Sequence, residues 1–145
     1  MIGLLQRVTW AGVDIDGETV ARVDAGLLVL VGVRPDDNPA TARRLAERLL
    51  TYRVFPDADG RMSLALADTG GGLLLVPQFT LAARTDKGTR ASFTSAAPPD
   101  QARSLFETLV TAARERHADV QTGRFGADMA VSLTNDGPVT FWLET

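Results

Sequence analysis

The chain has 145 residues and no cysteine, and its 15 basic residues stand against 18 acidic ones for a net charge of −3. That length suits a single domain, residues 1–145, with one core that buries roughly 70% of the surface the unfolded chain exposes. The composition excludes a disulfide framework, a thiolate nucleophile and a cysteine-bound zinc, and the mild acidity excludes coating of nucleic acid by bulk attraction.

The first residues, MIGLLQRVTWAGVDIDG, lack a basic leader and a long apolar stretch. No apolar run approaches the roughly 18 residues a membrane span needs. The expected location is the cytoplasm, without a membrane. The segment instead reads as a strand, a turn at Asp16-Gly17 and a second strand, ETVARV. Asp-Gly between β-branched runs is a strong hairpin signal. The run Ala25 to Val33, AGLLVLVGV, is apolar throughout and suits a strand buried on both faces.

Asn38 then has the form of an N-cap, with Pro39 at the first helical position. Ala42, Leu45, Ala46, Leu49 and Leu50 recur at helical spacing behind it. Leu73 to Val76 forms a second buried strand, and Pro77 argues that its ladder ends there. A loop rich in Thr, Ser, Gly and Pro follows, carrying Arg84, Lys87 and Arg90. Pro98-Pro99 opens a second helix, whose stripe is Ala102, Leu105, Phe106, Leu109, Val110 and Ala113. Its end holds the one histidine, His117, which reads as a solvated residue favoured by the helix dipole. A lone histidine there makes a Ser-His-Asp triad hard to build and a multi-histidine metal site impossible. The remainder alternates enough for two or three short strands. The order predicts an α/β fold in one compact domain: a mixed, largely antiparallel sheet covered by two main helices.

Three stretches could carry chemistry. In VPQFTLAA, a strand end bearing Gln78 and Thr80 on one side and Phe79 on the other can cradle an oxyanion with bared N–H groups, or can simply face water. In GRFGADM, Phe125 and Met129 could hold a flat ring, or could pack in the core. In NDGPVTFW, the Asp-Gly pair between strand-like runs has the form of a hairpin turn, yet Pro138 stands at the head of the last strand without an N–H to give.

Together, MIGLLQRVTWAGV, VPQFTLAA, KGTRASF, TGRFGADM and VSLTNDGPVTFWLE resemble the D-aminoacyl-tRNA deacylase family, in order and spacing, from Met1 to the C-terminus. The resemblance implies a barrel-like core with helices, a homodimer and a tRNA partner. It implies hydrolysis of the ester joining a D-amino acid, or mischarged glycine, to the tRNA end, as a proofreading step; no metal and no cofactor are expected. It implies that Gln78, Phe79 and Thr80 line the reacting carbonyl, with Pro77 beside them where the family commonly has serine. Phe125 and Met129 would hold the terminal adenine. Gly137-Pro138, followed by Val139, would be a cis-proline wedge entering the partner subunit's site, braced by Arg7. Arg84, Lys87 and Arg90 could meet the phosphates of the tRNA end or could be solvated. A non-catalytic dimeric module that binds tRNA ends or D-amino acids is the alternative.

Overall fold

The computed structural model describes residues 1–145. Strand β1 (Ile2–Ile15) runs into β2 (Glu18–Val23) through Asp16 and Gly17, whose φ values of 51° and 80° are those of a tight hairpin turn. Strand β3 (Gly26–Gly32) follows and leads into helix α1 (Pro39–Thr51). The start of α1 is fixed as the sequence predicts. Asn38 Oδ1 accepts the N–H groups of Ala40 and Thr41, and Thr41 Oγ1 accepts the N–H of Asn38.

Short pieces come next: β4 (Phe55–Pro56), β5 (Met62–Leu64) and one turn of helix, α2 (Leu66–Thr69). Strand β6 (Gly72–Pro77) passes into a single 3-10 turn, Phe79–Ala82. The long helix α3 (Pro99–Arg114), the short strand β7 (Val120–Thr122) and a 15-residue strand, β8 (Ala130–Glu144), complete the chain. No helix is long and apolar enough to cross a membrane.

The sheet is mixed, as the sequence predicts. β1 pairs antiparallel with β3 through its first half, with β2 through its second half, and with β8 along nearly all of its other edge. β3, β6 and β7 run parallel to one another. β2 also reaches β6 and β7, so the sheet curls back toward itself.

The apolar run of β3 is explained by cores on both faces. Leu27, Val29 and Val31 point into the larger cluster, shared with Leu45, Leu49, Leu105 and Leu109 of α1 and α3. Leu28 points the other way, toward Val8, Val13, Leu74 and Val76. Each fully buried leucine contributes about 1.5–3 kcal/mol relative to exposure. Both predicted helical stripes are buried in full.

Two local expectations are corrected. The last segment holds one short strand and one long one, because Asp136-Gly137 does not reverse the chain. Gln6 pairs with Thr140 and Val8 with Asn135, so four residues, Asp136 to Val139, bulge opposite Arg7 while β8 keeps its partner. His117 is not a solvated cap. Its Nε2 lies 2.6 Å from the carbonyl oxygen of Gly71, tying the end of α3 to the start of β6.

Candidate active site

The site begins where β6 stops. The N–H groups of Gly72 and Gln78 go to Ala25 and Val31 at the two ends of the β3 edge. Alternation along the strand turns the nitrogen of Pro77 toward the opposite edge. There the β7 ladder has already ended, at the pair Leu75 and Thr122. A residue without an N–H therefore fits at Pro77 without breaking a ladder bond.

Beyond it the backbone tightens instead of staying extended, which corrects the expected alternation of Gln78, Phe79 and Thr80. The 3-10 turn is closed by the N–H of Leu81 on the Gln78 carbonyl at 3.2 Å. Gln78 and Thr80 still meet, with Gln78 Nε2 donating to Thr80 Oγ1 at 2.6 Å. Since the N–H of Gln78 is held by Val31 at 2.7 Å, it is not bare for a ligand. The N–H groups of Phe79 and Thr80 precede the first bond of the turn and have no acceptor inside it.

Pro77, Gln78 and Phe79 form one wall of a cleft of ≈ 510 Å³. Phe125 and Met129 line the same cleft. Thus five of the residues singled out in the sequence come together there, brought from β6 and from the segment before β8. Phe79 is 56% exposed, an open apolar ring packed at a tilt of 52° against Phe93, with centroids 5.1 Å apart. Behind Met129, Gly123 packs closely, and a Cβ there would stand 2.8 Å from Met129 Sδ, so the methionine side chain would have to shift. The same sulfur lies 3.4 Å from the backbone nitrogen of Arg124. Asp128 is the one ionisable side chain lining the cleft. Its place was not legible in the sequence, where it is one acidic residue among many.

Thr80 stands at the end of this wall but outside the cleft lining. His117 cannot serve it as a base, because it is bound at the start of β6, roughly 17 Å of strand away.

The bulge lies elsewhere. Neither Arg7 nor any of Gly137, Pro138 and Val139 lines the cleft of its own chain. Arg7 does brace the bulge, with Nε donating to the Asp136 carbonyl at 3.0 Å and a second nitrogen donating to the Val54 carbonyl at 2.6 Å. Gly137 has φ of 133°, which side-chain-bearing residues rarely adopt, and the Gly137-Pro138 peptide is cis. Asn135, not singled out in the sequence, closes the bulge from within. Its Oδ1 accepts the N–H of Val139, and its Nδ2 donates to Thr140 Oγ1. An asparagine just ahead of a Gly-Pro pair is the signal that could have found it.

Arg84, Lys87 and Arg90 border a separate hollow with Asp86 and Ser92. Arg84 is paired with Asp86 at 3.2 Å, so part of that charge is neutralised within the loop.

The cleft at the end of β6 thus joins an aromatic ring and a thioether to a polar backbone turn, with one carboxylate on its lining. The profile of the D-Tyr-tRNA(Tyr) deacylase family matches residues 4–144. A D-aminoacyl-tRNA deacylase of Teredinibacter turnerae is 62% identical over 142 residues, 98% of each chain. One from Pseudomonas fluorescens is 61% identical over the full length of both. The solved structure of a c-Myc DNA unwinding element binding protein superposes with a TM-score of 0.95 at 34% identity, over 100% of this chain and 99% of the other. The chain belongs to the D-Tyr-tRNA(Tyr) deacylase family and is a hydrolase.

Proposed function

We propose that this chain hydrolyses the ester of D-aminoacyl-tRNA, and of glycine mischarged on tRNA, as a homodimer in which each subunit's bulge closes the other's cleft. The observation that carries the reading is the separation of cleft and bulge within one chain. The cleft gathers Gln78, Phe79, Phe125 and Met129, while the bulge at Gly137-Pro138 is exposed, braced by Arg7, and absent from the cleft of its own chain. Phe141 and Trp142 beside the bulge are also exposed, which supports a covered surface there.

The bulge would act as a wall. With the amino group and carbonyl of the substrate fixed, the two hands of an amino acid differ in where the side chain points. Backbone at the bulge excludes the L side chain because it has no rotamer to yield. Glycine has no side chain to exclude, so its ester is cleaved too.

Phe125 and Met129 would hold the terminal adenine against the far wall. The N–H groups of Phe79 and Thr80 would receive the developing oxyanion, a role worth about 3–4 kcal/mol per donor in known cases. The bond that breaks is the ester C–O. Water adds to the carbonyl, the ribose oxygen leaves with a proton, and the free amino acid departs. A ribose hydroxyl of the tRNA beside the ester would assist that water, since no histidine reaches the site. Pro77 is compatible with a site of this kind, because a main-chain oxyanion hole needs no hydroxyl at that position.

The test is deacylation of matched D-tyrosyl-, L-tyrosyl- and glycyl-tRNA by the purified protein, with and without chelator. The expected result is release of D-tyrosine and glycine, with L-tyrosine spared and no effect of chelator. No release from any of the three by a folded protein would refute the assignment and favour a non-catalytic binding module.

A further inference from the structure

A second groove, ≈ 330 Å³, adjoins the cleft across Phe125. Arg103 and Arg114 of α3 and Arg124 of the following segment line it, with Thr111, Thr122 and the edge of Phe125. The Arg103 guanidinium lies over the Phe125 ring, 4.9 Å from its centroid. No carboxylate forms an ion pair with any of these three arginines, and Glu107 is the one acidic residue in the lining. Such a concentration is unusual in a chain of net charge −3. It also contrasts with Arg84, whose charge is met by Asp86. Arg114 is partly committed to the Val120 carbonyl, at 3.3–3.4 Å, whereas the Arg124 side chain is exposed and has no hydrogen-bond partner in the fold.

We infer that this groove carries the phosphodiester backbone of the unpaired 3′ strand leading to the nucleotide in the cleft. The inference rests on the reading of the cleft as the site for an aminoacylated tRNA end. The chemistry is that of single-strand recognition, a basic groove that follows the backbone beside an aromatic that takes a base. Arginine forks suit phosphate oxygens, and Thr111 and Thr122 offer hydroxyl donors alongside. The join at Phe125 gives the strand a direction: the last base enters the cleft, and the preceding phosphates run along α3. Local placement of these arginines lets an acidic protein hold a polyanion without attracting RNA over its whole surface.

The test compares two substrates, D-tyrosyl-tRNA and the D-tyrosyl ester of adenosine, which has no phosphodiester. Arg124→Glu and the double variant Arg114→Gln with Arg124→Gln are the probes, checked for folding by thermal melting. Both variants are expected to lose about tenfold or more in kcat/KM on the tRNA, through KM, and to keep the adenosine ester within about twofold of wild type. For the double variant, the salt dependence on tRNA becomes shallower by about 1.4 in log–log slope, from the loss of two phosphate contacts. R124K restores the tRNA activity. Equal losses on both substrates, or an unchanged salt slope, overturn the groove assignment while leaving the deacylase reading intact. Wild-type inactivity on both esters overturns the deacylase reading and the inference with it.

Discussion

The side-chain oxygen of Asn135 accepts the backbone N–H of Val139, the last of the four bulge residues, at 2.7 Å. A side chain thus supplies the bond that the ladder cannot, since β1 offers only Arg7 against four residues of the bulge. Arg7 holds the other end through the Asp136 carbonyl. The bulge is fixed twice, from its own strand and from the strand it faces.

Asn135→Ala should therefore loosen the bulge without touching the cleft. Loss of the bond leaves a part-buried N–H unpaired and costs about 1–3 kcal/mol. If the bulge excludes L substrates, hydrolysis of L-tyrosyl-tRNA should rise by at least about tenfold, the effect of 1.4 kcal/mol lost from discrimination. Hydrolysis of D-tyrosyl-tRNA should change less. The ratio of the two rates, measured side by side, is the readout.

Thr80 receives a hydrogen bond from Gln78 and has no histidine near it. A hydroxyl without a base is a poor nucleophile at neutral pH. Thr80→Ala should keep deacylation within about tenfold of wild type, because the backbone N–H at that position is retained. A single-turnover assay decides between this and a covalent mechanism, for which the variant would fall to the uncatalysed rate.

Glu144 is held below its ordinary pKa of 4.5, first by the hydrogen bond from Arg34 and then by that from Trp142. Arg34 lies 2.7 Å from Glu144 Oε1, and Trp142 Nε1 donates to the same oxygen at 2.6 Å. A carboxylate with a lowered native pKa stabilises the fold above its unfolded value, and that contribution disappears as pH falls through the native one. Arg34→Ala should raise the Glu144 titration seen by carbon NMR and reduce the loss of stability between neutral pH and pH about 3. The change will be small, because both side chains are well exposed and solvent screens the pair.

Much of the fold is legible where local chemistry and tertiary structure agree. Asn38-Pro39 starts α1 because the cap satisfies N–H groups that any helix leaves bare. Asp16-Gly17 turns because both residues accept positive φ, and Pro77 fits at the end of β6 because the β7 ladder has already stopped at Leu75, so its missing N–H leaves no bond unmade. Legibility fails where the decision is made by a distant partner. Asp136-Gly137 looks like a hairpin turn, but β1 pairs with residues on both sides of it, and that pairing makes it a bulge. The turn at Phe79–Ala82 spans four residues, too few to carry a period. His117 found its carbonyl, and Arg103 its aromatic ring, only through the packing of α3. The candidate site was legible as a set of residues through family resemblance. That five of them share one cleft, while Arg7 and the bulge stand outside it, required the structure.

The central claim is that selectivity is supplied by the bulge of the other subunit. Heterodimers purified with two tags test it most directly, one subunit carrying Phe79→Asp to disable its cleft and the other Pro138→Ala to blunt its bulge. With bulges acting across the dimer, the one working cleft of this heterodimer faces an intact bulge, so it hydrolyses D-tyrosyl-tRNA and spares L-tyrosyl-tRNA. If the bulge served the cleft of its own chain, the working cleft would have the blunted bulge. Release of L-tyrosine at the rate per working site of the Pro138→Ala homodimer would contradict the claim.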